Sequence, residues 1–210
     1  MTRIEWEKLL QDLNQLQILQ LQEEVPNLRL IYSLDLSDLI ESGWLGKPGA
    51  SEEQISQAED RLGTTLPNSY KEFLRVSNGW SDWTIGDRYP GFNLLPVEEI
   101  EWFTVRNPDW TDFTDYHEVP DELYFVYGKE QDCVNMRESF LKTALQISNL
   151  AETMELLLNP QVILVAGEWE AWCMDSKFPG ANRYQTFFDL MQAERDWLSN
   201  LHDFYSQIDI

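Results

Sequence analysis

Residues 49–80 read GASEEQISQAEDRLGTTLPNSYKEFLRVSNGW, and the order of caps, turns and apolar positions in this stretch decides the fold. Ser51 and Gln54 have the spacing of a capping box, in which each side chain satisfies a loose backbone N–H of a helix's first turn. Ala50 and Ile55 stand at the positions of a hydrophobic staple. Ile55, Ala58 and Leu62 recur at the three- and four-residue spacing of one helical face. Gly63 is placed to end that helix, because glycine adopts a left-handed backbone without steric cost. Pro67 suits the first turn of a second helix, where a missing N–H costs nothing. Tyr70, Phe73 and Leu74 mark its buried face, and Asn78-Gly79 is a turn signal that stops it. The stretch therefore predicts two short helices joined by a tight link.

Upstream, residues 2–24 predict an amphipathic helix. Thr2 and Glu5 form a second capping box, Trp6, Leu9, Leu10, Leu13 and Leu16 form an apolar stripe, and Pro26 is expected to stop it. Two readings stay open for this helix: packing on the main domain, or docking and dimerisation. The turn-rich Ser42–Gly49 stretch places the start of the main domain. The division expected is a helical extension over 1–40 and an α+β domain over 41–210. Downstream, residues 92–103 predict a strand and then a short helical turn, and Asn107-Pro108 predicts a helix start. Residues 123–127, 142–147, 154–158, 162–166 and 169–174 predict strands bounded by turns at Gly128, Asn159-Pro160 and Gly167. They lie too close together for crossover helices, so a mainly antiparallel sheet packed against helices is expected. Residues 183–206 return to helix.

The 210 residues hold 43% apolar types, enough for a substantial core, yet 37 Asp and Glu against 15 Lys and Arg give a formal charge of −22. Such a charge repels nucleic-acid phosphates and anionic membranes and steers the chain toward basic partners, although solubility alone also explains it. No apolar window of membrane-spanning length and no signal-peptide layout is present, and Cys133 and Cys173 form no CxxC pair. A cytoplasmic protein with two free thiols, monomeric when unbound, is expected.

The sequence holds two histidines, His117 and His202, and no zinc spacing, P-loop, dinucleotide fingerprint or nucleophile elbow. No catalytic residue, metal ligand or cofactor is expected. Glu168 and Glu170 flank Trp169 and would share a strand face. They read either as an acid/base pair or as a solvent-facing surface with Trp169 and Ala171 turned inward, and the second reading is favoured. Asp109, Asp112, Asp115, Glu118, Asp121 and Glu122 fall in a stretch without Lys or Arg, interleaved with Trp110, Phe113 and Tyr116. On a short helix this spacing sets an acidic side beside an aromatic one. That side is either solvated acid over packed rings or a contact patch for a basic protein. Trp80, Asp82 and Trp83 form a second candidate patch, with core-capping rings as the alternative.

Within residues 49–80, Ile55, Glu59, Leu62, Gly63, Leu66-Pro67, Tyr70, Phe73-Leu74 and Asn78-Gly79 together resemble the signature of the SUKH superfamily, the Smi–Knr type. SGWLG at 42–46, LLNP at 157–160, GEWEAW at 167–172 and PGANRYQTF at 179–187 resemble its bacterial members. The resemblance implies an α+β fold and a non-enzymatic protein. Many bacterial relatives resemble immunity proteins that bind and neutralise a cognate toxin, often a nuclease with a basic cleft. Fungal relatives imply instead a regulatory scaffold for cell-wall synthesis. An uncharacterised hydrolase using surface carboxylates is the weakest alternative. The candidate contacts on this reading are Trp80, Asp82, Trp83, Asp109, Trp110, Asp112, Asp115, Glu118, Asp121 and Glu122.

Overall fold

The computed structural model describes residues 1–32, 41–81, 93–110, 112–115, 118–149, 154–175 and 179–206. Its helix pair forms as the caps dictate. Helix α2 spans Glu52–Leu62, with both halves of the Ser51/Gln54 box made, and ends at Gly63, whose φ of 67° is left-handed. Helix α3 spans Asn68–Val76 and starts one residue after Pro67. The turn beyond it needs Gly79, at φ 104°, where a Cβ would sit 2.8 Å from the Leu94 carbonyl oxygen.

Helix α1 covers Arg3–Tyr32 and opens with the Thr2/Glu5 box. Pro26 does not end it, contrary to the sequence expectation. Proline's fixed φ is itself helical, and the ring removes one rung of the ladder without forbidding the turns on either side. The apolar stripe of α1 packs on the domain. The Trp6 ring lies 5.4 Å from the rings of Phe73 and Phe187 and 4.9 Å from that of Phe188. Phe187 opens the last helix, α6, which spans Phe187–Ser206. Helices α1, α3 and α6 thus share one aromatic core, in which each fully buried ring contributes about 1.5–3 kcal/mol.

Strands β1 (Trp80–Ser81) and β2 (Asn93–Leu94) pair antiparallel. Strands β3 (Glu101–Trp102), β4 (Leu145–Gln146), β5 (Met154–Asn159), β6 (Glu170–Asp175) and β7 (Gly180–Tyr184) form an antiparallel sheet in that order. Two short helices, α4 (Phe103–Arg106) and α5 (Asp121–Tyr124), lie between β3 and β4. Both faces of the sheet are covered. Leu156, Leu158 and Ala171 face the aromatic core, whereas Leu157, Trp172 and Ala181 join Phe103, Tyr124 and Leu141 in a second cluster. An unbroken Leu156-Leu157-Leu158 run is what a strand buried on both sides requires. The outer edge of β7 is closed from the side: the Cys133 carbonyl accepts from Ala181 N–H at 3.1 Å, and Gln131 Oε1 accepts from Arg183 N–H at 2.8 Å.

Several expected elements differ. Residues 123–127 are not a strand: Pro120 opens the single helical turn α5, which turns Tyr124 inward and leaves Leu123 and Phe125 outside. Residues 162–166 are the connection between β5 and β6, since the register pairs Asn159 with Glu170, and Ile163, Leu164 and Val165 are exposed on it. Strand 142–147 shrinks to Leu145–Gln146, behind a 3-10 helix at Glu138–Thr143. Residues 180–184 are strand β7, so the last helix begins at Phe187 and not at residue 183. Asn107 closes α4 instead of opening a helix, its side-chain amide donating back to the Phe103 carbonyl at 3.0 Å.

Candidate protein-binding site

The acidic stretch does not form a helix over 109–122. Asp112 accepts from Thr114 N–H at 3.0 Å, a local bond that competes with helical pairing, and Pro120 has no N–H to give to a helical ladder. The result is a strap. Phe113 and Val119 dip into the second core cluster, while Asp109, Asp112, Asp115, Glu118, Asp121 and Glu122 stay exposed. Trp110 is 42% exposed, with its Nε1–H on the Asp112 carbonyl at 2.9 Å and its ring edge-on to Phe103 at 5.4 Å. Trp110 is thus a half-exposed, hydrogen-bonded tryptophan among acids.

The strap folds around a groove of about 590 Å³ lined by Asp115, Glu118, Val119, Pro120, Asp121, Glu122 and Arg137. Four of the acids proposed from sequence therefore meet there. Arg137 stands among them, donating to Asp121 Oδ1 and to the Val119 carbonyl, each at 2.6 Å. Ser139 fastens Asp115 through its N–H at 2.9 Å and its hydroxyl at 2.6 Å. Burial, followed by the charges of Asp112 and Asp115, raises the Glu138 carboxyl above its ordinary range. The groove thus holds more negative charge than its one arginine offsets.

Trp80 is elsewhere. It is enclosed by the main core, its Nε1–H donates to Gln17 Oε1 at 2.9 Å, and Trp44 packs edge-on against it. Its ring caps the core and offers no surface to a partner. Asp82 and Trp83 lie outside the described residues, as do Tyr116 and His117.

Glu168 and Glu170 are not the solvent-facing pair expected. They are 6% and 1% exposed, because the sheet is covered on both sides. Glu168 turns to α3, where it accepts from Ser69 N–H at 3.0 Å and from the Ser69 hydroxyl, a carboxylate placed on the helix N-terminus. Glu170 turns to the other face. Its Oε2 accepts from Tyr124 Oη at 2.7 Å, Trp172 Nε1 at 2.7 Å and Asn159 Nδ2 at 2.9 Å, and its Oε1 accepts from Tyr127 Oη at 2.7 Å. Burial, then the Glu170 charge, pushes both tyrosine hydroxyls far up, so they remain donors. The oxygens of both carboxylates are occupied by the protein's own donors, which leaves neither placed to take a proton from a substrate. Among the described residues no group of His, Cys, Asp and Glu is arranged to hold a metal ion, and no helix is long and apolar enough to cross a membrane.

Arg137, Ser139, Tyr124 and Tyr127 are site residues that the sequence reading missed. The burial of Glu170 had a signal. Trp172 shares its face at i+2, and the leucine run on β5 already required that face to be covered.

The model of the SMI1 / KNR4 family (SUKH-1) matches residues 49–139, from the helix pair through the acidic strap to Ser139. The uncharacterized protein YnaB of Bacillus subtilis (strain 168) is 34% identical over 88 residues, which is 41% of this chain and about half, 48%, of that protein. Over residues 49–139, therefore, the chain is similar to the SMI1/KNR4 family (SUKH-1).

Proposed function

We propose that the chain is a non-enzymatic binding protein of the immunity type, which neutralises a basic toxin domain by occluding it with the acidic strap. The observation that supports this most is the groove: Asp115, Glu118, Asp121 and Glu122 converge on it, beside the exposed Trp110, in a chain of formal charge −22. Acids so placed attract a cationic cleft and set the rate of encounter, and the tryptophan supplies desolvated contact area. A nuclease fits this role as partner, because its phosphate-binding cleft is cationic. Asp109, Trp110 and Asp112 extend the same surface. The internal bonding of Glu168 and Glu170 further favours binding over hydrolysis.

The test is capture from the native host with a tagged chain, followed by co-expression with the captured domain. The expected result is a complex that protects cells from that domain. Its association should slow by at least about tenfold as salt rises from about 50 to about 500 mM. No protection and no complex would overturn the reading, and capture of several unrelated endogenous proteins would favour a regulatory scaffold.

A further inference from the structure

The strap has little regular structure of its own, so something outside it must set where its acids point. Four observations locate that support at one buried side chain. First, Glu170 is 1% exposed and accepts four hydrogen bonds, two of them from the strap's own continuation, Tyr124 and Tyr127. Second, its other two partners, Asn159 and Trp172, belong to the sheet, so one carboxylate joins strap to sheet. Third, the Tyr124 ring has the guanidinium carbons of both Arg137 and Arg183 at 4.5 Å from its centroid. Fourth, Arg183 is fully buried on β7 and donates through Nη1 to the Tyr124 carbonyl. Arg137 in turn holds Asp121 and Val119 at the groove wall. The chain of contacts runs unbroken from the sheet through Glu170, Tyr124 and Arg137 to the acids.

From this geometry we infer that Glu170 is a positioning residue for the acidic groove, acting through Tyr124 to hold the strap in its binding shape. The inference rests on the binding reading for its functional consequence, but not for its structural one. Glu170→Gln keeps the shape and breaks the arrangement. Its one carboxamide oxygen can still serve Tyr124, Trp172 and Asn159, which share Oε2, but its N–H groups then face Tyr127 Oη, so the Tyr127 donation is lost and the charge that strengthens the other three bonds is removed.

The experiment is amide hydrogen exchange on the whole chain, comparing Glu170→Gln, Tyr124→Phe and Glu168→Gln with the parent. Tyr124→Phe serves if Glu170→Gln fails to fold. Glu168→Gln is the control, an equally buried carboxylate bonded to α3 instead. Glu170→Gln and Tyr124→Phe should speed exchange across 118–131 by at least about tenfold and leave α2 and α3 unchanged. Glu168→Gln should do so near Ser69 and not across 118–131. Unchanged exchange at 118–131, or an equal rise throughout the chain, overturns the inference. With the captured toxin domain, Glu170→Gln should raise the dissociation rate by about tenfold and leave the salt dependence of association intact. Segregated exchange with an unaltered complex would remove the groove from the binding surface while leaving the positioning of the strap established.

Discussion

The helix pair at 51–79 and the acidic strap at 109–127 are both rich in polar side chains, but they spend them differently. In the helix pair the polar groups are turned to nearby backbone. Ser51 and Gln54 cap each other's N–H groups, Glu59 accepts from Leu66 N–H at 2.8 Å and Lys71 Nζ at 3.0 Å, and Asn78 Oδ1 accepts from Val97 N–H at 2.7 Å. The residues that make the family signature recognisable are therefore architectural. In the strap most acids have no such task, and the strap is held by Arg137, Ser139 and Glu170 from later in the chain. If the strap is the binding surface proposed above, the motif that builds the scaffold and the surface that meets a partner are separable, and substitutions in the two regions should separate stability from binding.

The largest effect is expected in the scaffold. Phe73→Ala empties the centre of the aromatic core shared by α1, α3 and α6, and should cost about 3–5 kcal/mol in denaturant unfolding. Partner affinity measured where the variant remains folded should stay within twofold, roughly the noise of such a comparison. A matching loss of affinity would erase the distinction between scaffold and surface. Next comes Glu168→Ala, which strips α3 of its buried carboxylate cap and leaves Ser69 without an acceptor. It should cost about 2–3 kcal/mol. A change below about 0.5 kcal/mol would mean that the helix pair does not depend on the β5–β6 connection.

The strap should behave in the opposite way. Asp109→Asn, Glu118→Gln and Glu122→Gln combined remove three exposed charges that form no ion pair among the described residues. The melting temperature should hold or rise slightly as repulsion falls, whereas association with a basic partner should slow about tenfold. Loss of stability instead would make these acids part of the scaffold.

This contrast also explains what was legible in the sequence. Ser51, Gln54, Gly63 and Asn78 act within a few turns of the chain, so their spacing alone placed α2, α3 and the turn after them. The antiparallel sheet was legible as a class because short apolar runs alternate with turns. Strand β7 was not, since Gly180–Tyr184 contains a buried arginine and too few β-forming residues to stand out. The strap's three-residue spacing suggested a helix, yet Phe113 and Val119 reach the core from an extended chain. Its acids were legible as a group. Their convergence was not, because it depends on Arg137 and on Glu170, whose bond to Tyr124 joins residues 46 apart.

The smallest effect separates the two regions by acidity. Glu98 binds the helix pair to the rest of the domain through Gln54 Nε2 at 2.5 Å and Asn78 Nδ2 at 3.0 Å. Burial works to raise its carboxyl, but the bonds from Asn78, its own backbone N–H and Gln54 outweigh it and hold the group below its ordinary range. Its stabilisation is complete above the unfolded value of about 4.3, declines as pH falls below that, and is lost once pH has passed through the lower folded value. Glu138, beside the groove, is displaced upward by burial and by Asp112 and Asp115. Ionised, it costs stability above its folded value, and acidification through that value relieves the cost before Glu98 begins to protonate. On lowering the pH, the groove side should tighten first and the helix pair should loosen later. Side-chain carboxyl titration by NMR checks this directly: Glu138 should titrate above the ordinary glutamate range and Glu98 below it. The reverse order would show that the groove's negative charge is offset by cations beyond Arg137, and the strap would then lose its electrostatic distinction from the scaffold.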